Sequence, residues 1–182
     1  ATLKFSTQPG DFLPVVLTRF EGTELMNYSP LIYAYEQENI AITGGGVFDG
    51  QAGPNRWWHW KGHWGGETEI GWEKGDPDQR TDVESLGKMA DAGTPPQQRV
   101  FGKNHRLRPN FVQPYRCRNV LIEGVTFVNS PMWIMHPVLC ENVTVRNVTV
   151  NSHGPNNDGC NPESCRNVLI EDCLFDTGDD CI

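Results

Sequence analysis

A short pattern that returns four times limits this chain to very few folds. Asn39-Ile40-Ala41-Ile42-Thr43-Gly44 matches Asn119-Val120-Leu121-Ile122-Glu123-Gly124, then Asn142-Val143-Thr144-Val145-Arg146-Asn147, then Asn167-Val168-Leu169-Ile170-Glu171-Asp172. In the last three copies apolar residues recur at fixed offsets: Val120, Ile122, Val125, Phe127; Val143, Val145, Val148, Val150; Val168, Ile170, Cys173, Phe175. Each copy reads as two short alternating strands joined by a corner, where the period-2 phase slips by one residue. The copies begin 23 and 25 residues apart. That is too short for a propeller blade, and the Leu-x-x-Leu-x-Leu signature of a leucine-rich repeat is missing. The expected fold is all-β: a right-handed parallel β-helix with coils of about 23–25 residues, stacked about 4.8 Å apart as neighbouring strands are.

Stacked coils turn equivalent residues into ladders. Asn119, Asn142 and Asn167 are expected to form one, and Cys117, Cys140 and Cys165, each two residues earlier, another. These cysteines read as buried thiols filling a corner, with a disulfide between two of them left open. Six cysteines in 182 residues are too sparse for a disulfide framework.

Outside the repeats the chain is less regular. Leu3/Phe5, Val15-Val16-Leu17 and Leu31-Ile32-Tyr33 read as strands and Pro9-Gly10-Asp11 as a turn, and nothing in residues 1–35 carries chemistry. Residues 51–103 lack strand periodicity and hold Trp57, Trp58, Trp60, Trp64 and Trp72, five of the six tryptophans. This is an insertion loop within a single domain spanning 1–182. Its indoles either wall a carbohydrate site or pin the loop to the helix flank. Residues 104–116 are locally basic, with Arg108 the candidate for gripping a carboxylated ligand; the alternative for each arginine is a solvated or ion-paired strand edge. Ser130-Pro131-Met132-Trp133-Ile134-Met135-His136 joins two well-formed coils and offers Trp133 and His136 as further binding candidates.

A formal charge of −8 without a basic run argues against nucleic acid, and an anionic ligand would need local arginines. No apolar run approaches membrane-spanning length. The chain opens directly in the strand-like Ala1-Thr2-Leu3-Lys4-Phe5, with no signal peptide, which fits a mature chain or an internal fragment.

The chemistry concentrates near the C-terminus. Asp158 precedes Asp179 by 21 residues and Asp180 by 22, close to one coil, so the three carboxyls should cluster on one outer face. Like charges this close raise at least one pKa, which suits a general acid paired with a general base. Spacing alone leaves three readings open: an acid–base site, a Ca²⁺ site of hard oxygen ligands, or solvated turn residues. Strict alternation would point Asp179 and Asp180 to opposite faces, and Gly178 is where the backbone could bend to bring both outward.

Four stretches carry a resemblance to a known family: Ile40 through Gly50, Asn129-Ser130-Pro131-Met132-Trp133, Gly154-Pro155-Asn156-Asn157-Asp158-Gly159 and Asp176-Thr177-Gly178-Asp179-Asp180-Cys181-Ile182. Over essentially its whole length the chain resembles glycoside hydrolase family 28, the polygalacturonases and related pectin hydrolases, and most of all the bacterial, often exo-acting branch. The last two stretches look like the family's Asn-Thr-Asp and Gly/Gln-Asp-Asp motifs, with Asn157 where Thr is usual. The resemblance implies an inverting hydrolase of α-1,4-galacturonan on a parallel β-helix, without metal or cofactor. Asp179 would protonate the glycosidic oxygen, Asp158 and Asp180 would activate the water, and Asn156 would shape the substrate site. It also implies a pectic polysaccharide or oligogalacturonide as partner and an extracellular or periplasmic setting. The family's later Gly-His-Gly and Arg-Ile-Lys motifs have no counterpart before Ile182, so the expectation is a partial domain, truncated at both ends and inactive alone. Alternatives are a rhamnogalacturonan or xylogalacturonan hydrolase, a calcium-dependent pectate lyase, and a non-catalytic carbohydrate-binding β-helix.

Overall fold

The computed structural model describes all of residues 1–182. Its strands, in chain order, are β1 (Thr2–Lys4), β2 (Val16–Phe20), β3 (Thr23–Asn27), β4 (Ile32–Tyr35), β5 (Glu38–Thr43) and β6 (Val47–Asp49). After the helix α1 (Arg80–Asp91) come β7 (Val112–Tyr115), β8 (Arg118–Glu123), β9 (Thr126–Val128), β10 (Glu141–Arg146), β11 (Thr149–Ser152), β12 (Arg166–Glu171) and β13 (Leu174–Thr177). Two parallel sheets form two faces of a right-handed β-helix, in the orders β1-β6-β9-β11-β13 and β12-β10-β8-β5. The third face begins as the parallel pair β4–β7 and continues through single bridges, Val112 to Met135 to Cys160 and Tyr115 to Val138 to Glu163. The repeat is in register: Val120 pairs with Val143 and Val143 with Val168, while Phe127 pairs with Val150 and Val150 with Phe175.

Corner chemistry explains why these strands turn where they do. Asn39, Asn119, Asn142 and Asn167 all lie at φ +57°, a left-handed conformation that Asn tolerates better than most side chains. The Asn119 amide donates to Asn39 Oδ1 at 2.8 Å, Asn142 to Asn119 at 3.0 Å and Asn167 to Asn142 at 3.0 Å. The other corner is turned by Gly44, Gly124, Asn147 and Asp172, also at positive φ. At Gly124 a Cβ would lie 2.4 Å from the Gly44 carbonyl, so that coil's corner takes glycine.

Inside the coils Phe111, Ile122, Val125, Phe127, Val145, Val148 and Val150 make the core. Phe127 packs against Phe48 and Phe111 at ring separations of 5.4 and 5.2 Å. All six cysteines are free, which removes the disulfide option. The expected thiol stack is present: the Cys117 N–H points at Cys140 Sγ (3.4 Å) and the Cys140 N–H at Cys165 Sγ (3.3 Å).

Three elements differ from the sequence expectation. Pro9–Phe12 is a turn of 3₁₀ helix, pre-set by the fixed φ of Pro9. Thr23–Asn27, not read as a strand, pairs antiparallel with β2 across a Glu21-Gly22 turn with both residues at positive φ. This hairpin lies against the third face: Thr18 Oγ1 bonds Gln113 Oε1 at 2.5 Å, Arg19 pairs with Glu163, and Tyr115 donates to Glu24. Finally, the insertion contains α1, whose Leu86 is buried in a cluster with Phe20, Leu25, Phe101, Leu107 and Met132.

The tryptophans of the insertion divide. Trp57 and Trp58 are buried with Phe12, Tyr28, Ala52 and Ile70, while Trp60, Trp64 and Trp72 are half-buried against that cluster. Trp57 and Trp58 thus pin the insertion to the helix flank. No helix is long and apolar enough to cross a membrane.

Candidate active site

The site forms where three successive coils enter the third face. The register that pairs Met135 with Cys160 sets Trp133 level with Asp158, the Ile134 N–H donating to the Asp158 carbonyl at 2.9 Å. One coil on, the Gly159 N–H donates to the Asp180 carbonyl at 2.9 Å and the Cys160 N–H to the Cys181 carbonyl at 3.0 Å. Trp133, Asp158 and Asp180 therefore stand in one column. Asp179 turns aside into the neighbouring loop, where Asn156 Nδ2 approaches its Oδ2 at 3.4 Å. Gly178, just before it, packs so closely on the preceding coil that a Cβ would meet the Gly154 carbonyl at 2.4 Å.

The three carboxyls sit in unequal surroundings. Asp179 and Asp180 are exposed. Asp158 is only 7 % exposed, with Oδ2 accepting from the Asn161 amide at 2.8 Å and Oδ1 buried without a partner. Burial pushes its pKa up to about 6, and the charges of Asp179 and Asp180 push the same way. The raised carboxyl is thus Asp158, in the position that the family resemblance assigns to water activation. No group of three or more His, Cys, Asp or Glu side chains converges as a metal-ligand set.

Beneath the acids lies a hydrogen-bonded polar layer. Asn157 is buried and spans two coils: its Oδ1 accepts from Ser152 Oγ (2.6 Å) and the Gly154 N–H (3.1 Å), and its Nδ2 reaches the carbonyls of Ser130 (3.2 Å) and Met132 (3.3 Å). Arg108 is 1 % exposed and lies below the site rather than open to a ligand. Its Nη1 donates to the carbonyls of Pro131 (3.0 Å) and Pro155 (2.7 Å), its Nη2 to Asn156 Oδ1 (2.7 Å) and its Nε to Gln79 Oε1 (3.3 Å). Burial pushes its pKa down to about 10, so it remains a cation at neutral pH.

The other two binding candidates also separate. Trp133 is half-buried and level with Asp158. His136 is fully buried, stacked edge-on to Trp133 at 4.8 Å. The amides of Asn110 and Gln113 approach its Nδ1 at 2.8 and 2.9 Å, which leaves the ring proton on Nε2 to be donated to Glu163 Oε2 at 3.0 Å. Arg108 and His136 sit inside because the insertion and the β2–β3 hairpin cover them.

Other side chains complete the site; Lys61 and Asn161 were not singled out in the sequence. Trp58 docks the insertion onto the site, its Nε1 donating to the Ser130 carbonyl at 2.8 Å. Its ring lies where a Cβ on Gly154 would fall, 2.2 Å away. Lys61 is half-buried; burial and the Arg108 charge lower its pKa, while Glu21 and Asp179 pull it up. Asn161, three residues beyond Asp158, was legible only as a polar side chain at turn spacing.

The family model "Glycosyl hydrolases family 28" matches residues 96–182, the stretch that holds all three acids. The crystal structure of a hyperthermoactive exopolygalacturonase from Thermotoga maritima superposes with a TM-score of 0.95 at 61% sequence identity, over 98% of this chain. The chain is similar to glycosyl hydrolase family 28. A probable polygalacturonase of Arabidopsis thaliana is 34% identical over 127 residues, 67% of this chain. A family 28 exopolygalacturonase of Yersinia enterocolitica shares the fold, with a TM-score of 0.63 at 23% identity. The chain spans 26% of the Arabidopsis protein and 39% of the Thermotoga structure. Asp158 and Asp180 stand on successive coils, and Asn157 ties their loop to the coil before.

Proposed function

We propose that these residues form the acid–base site of an inverting hydrolase cleaving α-1,4-linked galacturonic acid in polygalacturonan. Asp179 gives a proton to the glycosidic oxygen. Asp158 and Asp180 take one from the water that attacks the anomeric carbon from the opposite face. The observation that carries this reading is the column of Asp158 and Asp180, one coil apart, beside an Asp179 held by Asn156. A carboxyl raised to about 6 is a stronger proton acceptor than an ordinary Asp and is still ionised at neutral pH. Trp133 supplies an indole level with Asp158 for the apolar face of a sugar. Lys61, electrostatically coupled to Asp179, supplies positive charge that suits a uronate in a chain of net charge −8.

The Thermotoga protein is an exopolygalacturonase. Together with the insertion docked against Ser130 and Gly154 through Trp58, that favours exo action here, the insertion walling one end of the cleft. A polymeric pectic substrate places the work outside the cytoplasm, in the periplasm or beyond the cell.

The test is Asp179→Asn in a form extended to the length of the solved relatives. Release of reducing ends from polygalacturonate should fall by about 10²–10⁴-fold, while galacturonate oligomers still quench tryptophan fluorescence with the wild-type Kd. Unchanged turnover sinks the assignment, and products absorbing in the ultraviolet would replace hydrolysis by elimination.

A further inference from the structure

Arg108 poses a physical question that packing does not answer. A guanidinium buried with no carboxylate in ion-pairing range carries a large desolvation cost, and a Leu or Met would fill the space without it. What the charge provides is a strictly donor-only surface. The Asn156 side chain has one acceptor and one donor end of nearly equal shape, and its partners decide which way it faces. With Nη2 2.7 Å from Oδ1, the opposite orientation would set an NH₂ group against a guanidinium that accepts no hydrogen bond. The donor end is thereby turned outward, where Asp179 Oδ2 stands 3.4 Å away.

The rest of the fork fixes the frame in which this choice is made. The bond to Pro155 anchors the residue before Asn156, and the bond to Pro131 anchors the equivalent loop one coil earlier. Asn156 itself is at φ +54°, a conformation that needs support from its neighbours. The fourth bond runs to Gln79, a buried side chain of the insertion whose backbone N–H is held by the Trp60 carbonyl at 2.8 Å.

We propose that Arg108 is a positioning residue for Asp179: it holds the Asn156 amide with its donor toward that carboxyl and links this orientation to the insertion through Gln79. The inference rests on the acid–base reading above, in which Asp179 acts on the glycosidic bond. It assigns Arg108 no contact with substrate. The insertion, on this account, braces the acid as well as walling the cleft.

The experiment uses the extended form with four single variants, Arg108→Met, Arg108→Lys, Asn156→Asp and Asp179→Asn, and one double variant. Arg108→Met should lower kcat on polygalacturonate about tenfold or more, with KM within about twofold of wild type, because binding is retained while the acid is misplaced. Arg108→Lys should rescue little, since a single ammonium cannot reach two carbonyls and an amide together. Asn156→Asp guards against misfolding: it keeps an acceptor for Arg108 and should unfold at the wild-type temperature. It nevertheless puts a carboxylate where Asp179 now meets a donor, so kcat should fall as in Arg108→Met. The Arg108→Met/Asn156→Asp pair should be no worse than the weaker single variant. If Asp179→Asn abolishes turnover while Asn156→Asp and Arg108→Lys keep the wild-type kcat, the positioning role is overturned and the acid–base reading stands. If Asp179→Asn keeps turnover, both fall.

Discussion

Asp158 gives one carboxyl oxygen to the Asn161 amide, 2.8 Å away, and keeps the other buried with no partner. This half-satisfied state has a measurable cost. Its pKa stands near 6 in the folded chain, against about 3.9 for an unperturbed Asp. Between those values the folded protein holds a proton that the unfolded chain has released. The stabilisation from this group is therefore complete below about pH 4 and is lost as pH rises through 6. Urea unfolding of the chain at pH 4 and pH 7.5 should show a loss of about 2 kcal/mol from this source. Asp158→Asn should abolish that part of the slope; a variant with the wild-type slope would refute the account.

Asn157 should matter for stability more than its small size suggests. It is fully buried and satisfies groups on Ser130, Met132, Ser152 and Gly154. Asn157→Ala leaves these unpaired away from water and should cost about 2–4 kcal/mol in urea unfolding. Asn157→Thr offers one hydroxyl in place of an amide. It should recover only part of the loss. A cost under about 1 kcal/mol for the Ala variant would show that the loop closes without this network.

The asparagine corner can be taken apart by comparing two substitutions. Asn142→Gly keeps the left-handed backbone comfortable and removes only the bonds to Asn119 and Asn167. Asn142→Ala removes the same bonds and adds strain at φ +57°, about 1–2 kcal/mol for a side chain with a Cβ. Thermal unfolding should therefore rank wild type above Gly and Gly above Ala. Equal stability of the two variants would mean that the ladder, not the backbone angle, selects Asn.

Much of the scaffold was legible because its determinants are local and repeated. Alternation at Val143 and Val145 names the inward face, and an Asn at each corner marks a left-handed turn. The one-coil spacing of Asp158 and Asp180 then places the acids together. The third face was harder to read, since Met135-His136-Pro137-Val138 has no alternation and meets its neighbours through single bridges. The hairpin had a signal, Glu21-Gly22 between two alternating runs, and α1 had Val83, Leu86 and Ala90 at helical spacing. Both were masked by irregular surroundings. Arg108 and His136 show what sequence cannot carry. Whether a polar side chain faces solvent or lies inside depends on distant segments, here Gln79 and Arg19, folding over it.

The hairpin has a consequence for the order in which the molecule comes together. Each coil needs only its neighbour, so parallel pairing can advance from one coil to the next as the chain lengthens. Thr18 and Arg19 are different: their partners Gln113 and Glu163 lie 95 and 144 residues away. Closing contacts at such separations is slow, and Glu163 belongs to a coil made long after the hairpin. The hairpin can form its own turn early and meet Gln113 and Tyr115, yet its docking is complete only when Glu163 is in place. A segment near the start of the chain is thus among the last to settle, and its arrival seals His136 inside the protein.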